Sequence, residues 1–430
     1  MRTGLARALA TAMASSALFG AFGAMAAPSG EITVWSWNIA AEALDMLVPD
    51  FNKKYPDVKV TVVNMGHGDV RDKALAGCAA GGTDLPDVVT IENSEAEVYW
   101  ARFPDCFANL KEFGIEKYKD AFAPFKWAEL SAGDAIYSLP WDSGPAVVFY
   151  RRDIYEKAGV DPASIKTWDD YIEAGKKILA STDGKVKMGT INLSDDDAWF
   201  RPLANQQGCS YFDPNGETVT VNQPGCVNAL EILKKLNEAG LLALGDWGAQ
   251  IQYVKTGAVS GSLYGGWYEG TIRSNAPELE GKWGVYEMPA ATEGGVRAAN
   301  WGGSSLAITS ASKNKEAAWA YIEYALATNE GQISMLKNRG LVPSLLASLD
   351  DPYVKEPQPY WGGQAIWSDI LATMNKIPPY RGTQFYQETR ATIMIKTVTD
   401  YLNGKFASAK DALDDAANQI SVATGLPIAQ

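Results

Sequence analysis

The chain has 430 residues, of which 47% are hydrophobic and 21% are charged, and its formal net charge is −13. A chain of this length exceeds what one core usually serves, so two lobes are expected. The excess of negative charge argues against binding to nucleic acid or to an anionic membrane surface, and it favours a soluble monomer.

The first residues predict a secretory signal peptide over residues 1–26. Arg2 and Arg7 give a positive start, residues 8–22 form an apolar run, and a small-x-small cleavage signature follows. The run is shorter than the roughly 20 apolar residues that span a bilayer. No cysteine precedes Cys78, so we expect no lipid anchor and a periplasmic location.

Strand and helix patterns alternate after the signal peptide. Short β-rich runs occupy residues 32–35, 58–63 and 87–92. Apolar residues recur at helical spacing over residues 41–55, and a second helix is expected over residues 72–80. This β-α-β-α-β order predicts an α/β fold with an open, mainly parallel sheet.

The residues that follow each strand are candidate ligand contacts, because ligands of such sheets lie beyond the carboxyl ends of the strands. These candidates are Trp37, Asn38, His67, Asp69, Glu92 and Asn93. Asn38 also stands where an N-cap would bind the first backbone donors of the next helix. A histidine at the position of His67 is more often an ordinary loop residue than a ligand, and Trp35, beside Val34, is expected to pack in the core.

Four cysteines in an exported protein predict two disulfide bonds. They are Cys78, Cys106, Cys209 and Cys226, and three connectivities are possible. The local pairs Cys78–Cys106 and Cys209–Cys226 are favoured, because each would lie within one lobe and would contribute about 3 kcal/mol through the unfolded state. A zinc site is disfavoured, since the chain has no CxxC pair and only one histidine.

A series of short motifs, in order along most of the chain, resembles one protein family. The motifs lie at residues 35–37, 51–56, 85–89, 137–140, 149–152, 167–170, 282–289, 302–308, 312–319 and 340–344. The pattern resembles the bacterial extracellular solute-binding proteins of family 1, the carbohydrate-capturing subunits of ABC importers. Residues 167–170 also form a capping-box sequence that opens a helix.

The resemblance implies a two-lobed periplasmic-binding-protein fold, in which each lobe is a mainly parallel sheet flanked by helices and the ligand cleft lies between the lobes. The chain would cross between the lobes near residues 137–152, 282–289 and 340–344. The implied N-terminal lobe is 28–144 plus 289–340, and the implied C-terminal lobe is 145–288 plus 341–430.

A sugar presents hydroxyl groups and C–H patches, so its site needs polar groups beside aromatic planes. Turn-rich segments supply both, and the candidates there are Trp141, Asp142, Ser143, Asp197, Trp199, Trp267, Trp301, Gly302 and Gly303. The resemblance makes Trp267 the residue that stacks on the sugar. It also places Tyr380 and Arg381 at the far side of the cleft.

Several of these residues have structural alternatives. Trp141, Trp199 and Trp267 could instead fill a core. Arg381 could clamp an anionic group of the ligand or pair with a structural Asp, and this choice decides between acidic and neutral sugars. Residues 195–197 suggest calcium only weakly, because the EF-hand pattern is absent, so no metal or cofactor is expected.

The implied function is capture of a sugar or sugar derivative, closure of the lobes around it, and delivery to the membrane permease of an ABC importer. The alternative is an exported glycoside hydrolase that acts through paired carboxylates. The chain has no GxSxG, HExxH or P-loop motif, and its single histidine argues against histidine-based triads. We therefore expect a binding protein rather than an enzyme.

Overall fold

The computed structural model describes residues 27–122, 124–194, 196–197, 199–378 and 382–430. The expected signal peptide lies outside the described residues and stays a prediction. Across the ranges that are described, no helix combines the length and the apolar character needed to cross a membrane. The strands and helices form two lobes, each with its own sheet.

The first lobe is built from both halves of the chain. Its strands are β1 (Gly30–Trp37), β2 (Val58–Met65), β3 (Val88–Glu92), β4 (Ser131–Ala132), β5 (Ala135–Ile136), β6 (Ser138–Pro140) and β12 (Ser304–Ile308). Its helices are α1 (Asn38–Lys54), α2 (His67–Ala79), α3 (Ala96–Arg102), α4 (Pro124–Leu130), α11 (Lys315–Leu326) and α12 (Asn329–Arg339).

The second lobe contains the middle and the end of the chain. Its strands are β7 (Ala146–Arg151), β8 (Gly189–Ile191), β9 (Leu242–Leu244), β10 (Gly261–Gly265) and β11 (Trp283–Glu287). Its helices are α5 (Arg152–Lys157), α6 (Trp168–Ser181), α7 (Phe200–Asn205), α8 (Pro224–Glu238), α9 (Trp247–Thr256), α10 (Tyr268–Asn275), α13 (Ile366–Leu371), α14 (Tyr386–Thr389), α15 (Ile395–Leu402) and α16 (Ala409–Thr424). The capping box expected before α6 is present, because Thr167 and Asp170 bond each other's backbone N–H groups.

The main sheet of each lobe contains one strand that runs against the others. The first sheet has the order β2-β1-β3-β12-β6, in which β1 is parallel to β2 and β3, and β12 is antiparallel to β3 and β6. In the second lobe β7 is antiparallel to both β10 and β11, while β8 is parallel to β9. An isolated parallel bridge between Lys187, just before β8, and Val259, just before β10, joins the β8–β9 pair to the sheet that contains β10. The expected two-lobed α/β fold is therefore confirmed.

Three extended segments lie side by side at the hinge between the lobes. They are residues 141–145, 299–303 and 341–345. The Ser143 N–H donates to the Val342 carbonyl at 3.0 Å, and the Trp301 N–H donates to the Gly144 carbonyl at 2.6 Å. A Cβ on Gly144 would lie 2.3 Å from the Trp301 carbonyl oxygen, so this approach requires glycine.

The resemblance placed the return crossing at residues 282–289, and the strand pairing there favours a later position. β11 belongs to the second sheet, and the Ala290 N–H donates to the Lys166 carbonyl at 2.8 Å, so the chain is still within the second lobe there. We therefore propose a lobe boundary at residues 300–303 in place of residue 289. A strand at the edge of a sheet and a strand that crosses between lobes have the same local pattern, so the sequence does not distinguish them.

Both disulfide bonds connect the expected local pairs. Cys78 is bonded to Cys106 with a Cα–Cα distance of 5.4 Å, and Cys209 is bonded to Cys226 with a Cα–Cα distance of 5.5 Å. The first ties the end of α2 to the loop after α3, and the second ties the loop after α7 to the start of α8.

Candidate functional site

A cavity of about 690 Å³ lies between the lobes and beside the hinge. The carboxyl ends of β1 and β3 and the start of α2 line it from the first lobe. The segments before α7, the start of α9, the turn after β10, and the α14 region line it from the second lobe. Its volume falls within the roughly 300–1,000 Å³ typical of small-molecule sites.

Four aromatic side chains form one wall of the cavity, which we call the aromatic wall: Tyr264, Trp247, Trp267 and Trp301. The Trp301 ring stacks on Tyr264 with centroids 4.7 Å apart, and the Trp247 and Trp267 rings lie 6.1 Å apart. The half-buried Trp267 donates its indole N–H to the Trp301 carbonyl at 2.8 Å. This hydrogen bond fixes the ring orientation, so the wall is preformed.

Glycines allow the hinge to pass close to this wall. Gly302 has φ 105°, and a Cβ there would lie 2.9 Å from Trp267 Nε1. Gly303 has φ 104°, and a Cβ there would lie 2.9 Å from Lys126 Nζ. A side chain at either position would be strained by its backbone conformation as well as crowded.

The first lobe contributes a polar group around His67. Its Nε2 atom lies 3.0 Å from a Glu92 oxygen and 3.8 Å from a Glu95 oxygen, and Trp37 packs edge-on against the imidazole at 4.7 Å. Burial opposes the charged imidazole, but the Glu92 hydrogen bond and the Glu95 charge raise the pKa of His67. Burial also favours neutral Glu92, yet His67 lowers the pKa of that carboxyl, whereas burial raises the pKa of Glu95.

These three residues are also the metal-ligand candidates of the described chain. Their ligand atoms in His67, Glu92 and Glu95 lie within 4.8 Å of one another, a spacing that could hold an ion. The hydrogen bond between His67 and Glu92 uses the same atoms. The arrangement therefore serves equally as an imidazole–carboxylate ion pair.

The second lobe faces that group with arginines. Arg201 donates to Asp196 at 2.9 Å and to Asp197 at 2.6 Å, and Arg390 lies 3.2 Å from Asp196. Burial favours neutral Asp196, but the two arginines lower the pKa of its carboxyl. Asp197 lies deeper, where it accepts a hydrogen bond from Tyr211, and burial raises the pKa of Asp197 to about 6.

Asp142 connects the cleft to the hinge. Its carboxylate accepts the Ser304 N–H at 2.7 Å, and its carbonyl accepts a hydrogen bond from Lys126 at 2.9 Å. Burial raises the pKa of Asp142 to about 6. Nearby, the Ser143 and Ser344 hydroxyls lie 3.0 Å apart and join two of the crossing segments.

Ten of the residues singled out in the sequence line the cavity: Trp37, Asn38, His67, Glu92, Trp141, Asp142, Trp267, Trp301, Gly302 and Gly303. Their direct contact with a ligand stays a prediction. Asn38 is not an N-cap, because it is the first residue of α1, and the N-cap position is Trp37, which makes no side-chain cap bond.

Other candidates lie away from the cavity surface. Asp69 is exposed outside it, whereas Asn93 is buried behind it, where it bonds Glu129. Trp199 is 1% exposed and packs on Trp168 and Tyr171, so it belongs to the second-lobe core. Ser143 belongs to the hinge and Asp197 supports Arg201.

Two candidates cannot be assigned a place. Tyr380 and Arg381 lie outside the described residues. Their expected position at the far side of the cleft, and any role of Arg381 in binding an anion, therefore stay predictions.

The cavity also contains residues that the motifs did not identify. They are chiefly Arg71, Glu95, Asp196, Arg201, Trp247, Gln250, Tyr264, Gln387 and Arg390. Most project from helices or follow α14, where no turn pattern points to a ligand. Glu95 could have been predicted from the sequence, because it follows the candidate Glu92 by three residues, a spacing that places both side chains within one turn.

These features define a two-lobed binding protein with an interlobe ligand cleft. A family model described as bacterial extracellular solute-binding protein matches residues 36–332, and the chain belongs to this family. The Trp37-to-Trp301 part of the cleft therefore lies within the matched region.

Individual relatives extend over most of the chain. A lactose-binding protein of Rhizobium radiobacter is 30% identical over 382 residues, which cover 87% of this chain and 88% of that protein. An arabinooligosaccharide-binding protein of Bacillus subtilis is 29% identical over 402 residues, which cover 91% and 92%. The solved structure of an ABC transporter associated binding protein from B. animalis subsp. lactis Bl-04, in complex with beta-1,6-galactobiose, aligns with a TM-score of 0.81 at 27% identity, covering 94% of this chain and 100% of that one.

Proposed function

We propose that this protein captures a short oligosaccharide in the interlobe cleft and delivers it to the permease of an ABC importer. The observation that carries the proposal is the aromatic wall facing the charged groups around His67 and Arg201 within one cavity of about 690 Å³. A sugar ring can stack its C–H face on the wall while its hydroxyls bond the opposite side. The sugar ligands of the lactose-, arabinooligosaccharide- and galactobiose-binding relatives support the proposal.

Trp267 is the proposed stacking residue, since its ring is half-buried and oriented by the Trp301 carbonyl. Glu92 and Asp196 have lowered pKa values because of His67 and the arginines, although burial opposes this, so both carboxylates stay ionised near neutral pH. Ionised carboxylates are strong acceptors for sugar hydroxyls. Arg201 and Arg390 supply donors from the other lobe.

Ligand capture would act through the hinge. Binding shifts the equilibrium toward the closed form only to the extent that the ligand contacts both lobes better there. Residues on both lobes line the cavity, so a bound sugar would bridge them. The closed form would then dock on the permease, and export through the signal peptide would place the protein in the periplasm. We propose that no bond of the sugar is cleaved.

Isothermal titration calorimetry with lactose, arabinobiose and β-1,6-galactobiose tests the capture, and small-angle scattering tests the closure. We expect at least one sugar to bind and to reduce the radius of gyration. A panel of sugars without heat or compaction would refute the proposal. Release of monosaccharide from a bound disaccharide, lost in Glu92→Gln, would establish the hydrolase alternative instead.

A further inference from the structure

A small recess opens from the polar side of the cleft. It has a volume of about 40 Å³ and shares Glu92, Arg201, Gly302 and Tyr386 with the main cavity. A single water needs at least about 10–15 Å³ on this scale. The recess therefore has room for two or three non-hydrogen atoms, which excludes a sugar ring but admits a substituent of one.

The walls of the recess are apolar on one side. Phe200, Ala204 and Tyr211 come from the second lobe and are each buried. Cys209 also lines the recess, and its disulfide bond to Cys226 holds that wall in place. A carbon atom of a ligand substituent would be well accommodated here.

Glu129 provides an acceptor at the polar side. Its carboxyl group is buried, and Oε2 accepts a hydrogen bond from the Asn93 amide at 2.8 Å and lies 3.8 Å from Lys126 Nζ. Oε1 is the other acceptor atom of this carboxyl group. Asn93, which holds Glu129 in place, is itself buried behind the cavity.

Arg201 supplies a donor on the opposite side. Its Nε and Nη2 atoms bond Asp197 and Asp196, which leaves Nη1 to donate to a ligand. A hydroxyl group both donates and accepts, so it can satisfy a carboxylate and a guanidinium together. A carboxylate substituent has no proton to donate, so it could not satisfy the Glu129 acceptor.

We propose that this recess binds the primary hydroxymethyl group of a terminal hexopyranose, and that the protein thereby selects hexosides over pentosides. The methylene would contact Phe200 and Ala204, and the hydroxyl would donate to Glu129 and accept from Arg201. This inference rests on the proposed sugar-binding function. It predicts that this chain prefers hexose-containing sugars such as lactose to arabinooligosaccharides, the two ligand classes named for the relatives.

Matched disaccharides test the proposal on the wild-type protein. Calorimetry compares lactose with its 6′-deoxy analogue and with α-L-arabinopyranosyl-glucose, which lacks the whole hydroxymethyl group. Cellobiose and xylobiose form the second matched pair. We expect each truncated sugar to bind at least tenfold more weakly than its parent, because buried polar groups lose their partner.

Affinities within twofold across both series would overturn the inference while leaving sugar binding intact. Absence of binding by every sugar, including arabinobiose and β-1,6-galactobiose, would instead overturn the proposed function and this inference with it.

Glu129→Gln tests the residue. In this variant, Asn93 and Lys126 would donate to the single amide oxygen of the glutamine. The amide NH₂ group would then face the recess, so a donor would stand where Glu129 has the acceptor Oε1. Lactose should then bind at least tenfold more weakly, whereas the 6′-deoxy analogue should keep its affinity. Equal weakening of both sugars would indicate structural damage and contradict the role. Glu116→Gln, on the surface of the same lobe with a side chain 65% exposed, is the matched control.

Discussion

Asp142 gives the fold a specific pH dependence. Its pKa rises from 3.8 to about 6 on folding because the carboxyl is buried beside the hinge. The folded state therefore binds a proton more tightly than the unfolded state, so the free energy of unfolding falls as pH rises between about 4 and 6. At about 1.36 kcal/mol per pKa unit, proton binding by Asp142 contributes about 3 kcal/mol to the free energy of unfolding below pH 4, and this contribution is lost above pH 6.

Asp142→Asn removes this titration while keeping an oxygen for the Ser304 N–H. Relative to wild type, the variant should gain about 3 kcal/mol between pH 4 and pH 7. Urea unfolding followed by tryptophan fluorescence, with disulfides intact, measures the difference at each pH. Asp134→Asn, on an exposed turn of the same lobe, is the control. Parallel stability profiles for wild type and Asp142→Asn would refute the assignment.

The other predictions concern the aromatic wall, the hinge and a disulfide bond. Trp267→Ala should weaken sugar binding by about 10–100-fold in calorimetry, since a stacking contact and apolar area are lost; unchanged affinity would contradict stacking. Gly302→Ala should cost roughly 1–3 kcal/mol of stability in urea unfolding because of φ 105°, and an unchanged midpoint would count against hinge strain. Joint replacement of Cys209 and Cys226 by serine should cost about 3 kcal/mol and reduce selectivity for the hydroxymethyl group; intact selectivity would show that the recess does not need the bond.

Local sequence patterns located the strand ends that build the cleft. The period-2 and helical patterns placed β1, β2 and β3, and with them Trp37, His67 and Glu92, because the carboxyl ends of parallel strands share one edge. They do not distinguish β11 from a strand that crosses between the lobes, because both have the same local pattern. They also could not identify Arg390, whose contribution depends on how the end of the chain packs against Asp196.

Sequence patterns also do not show which of Asp196 and Asp197 faces the ligand, and only Asp197 is among the sequence candidates. The two carboxylates are adjacent in sequence, yet Asp196 lines the cavity and Asp197 is fully buried beneath Arg201. Which of two neighbours faces a ligand depends on the local backbone path before α7. Composition and spacing contain no information on that path. Once the fold is known, the pairing of both carboxylates with Arg201 explains how they can be buried.

The two faces of the cleft carry complementary charge. The carboxyl groups of Glu92 and Glu95 come from the first lobe, and the guanidinium groups of Arg201 and Arg390 come from the second. Burial opposes ionised Glu92, but His67 and, more weakly, Arg201 lower its pKa, whereas burial raises the pKa of Glu95. A sugar hydroxyl placed between a carboxylate and a guanidinium donates to one and accepts from the other. Such a ligand joins the two faces through hydrogen bonds available only when the lobes are close together. This differential contact is the free-energy source that closure of the hinge requires.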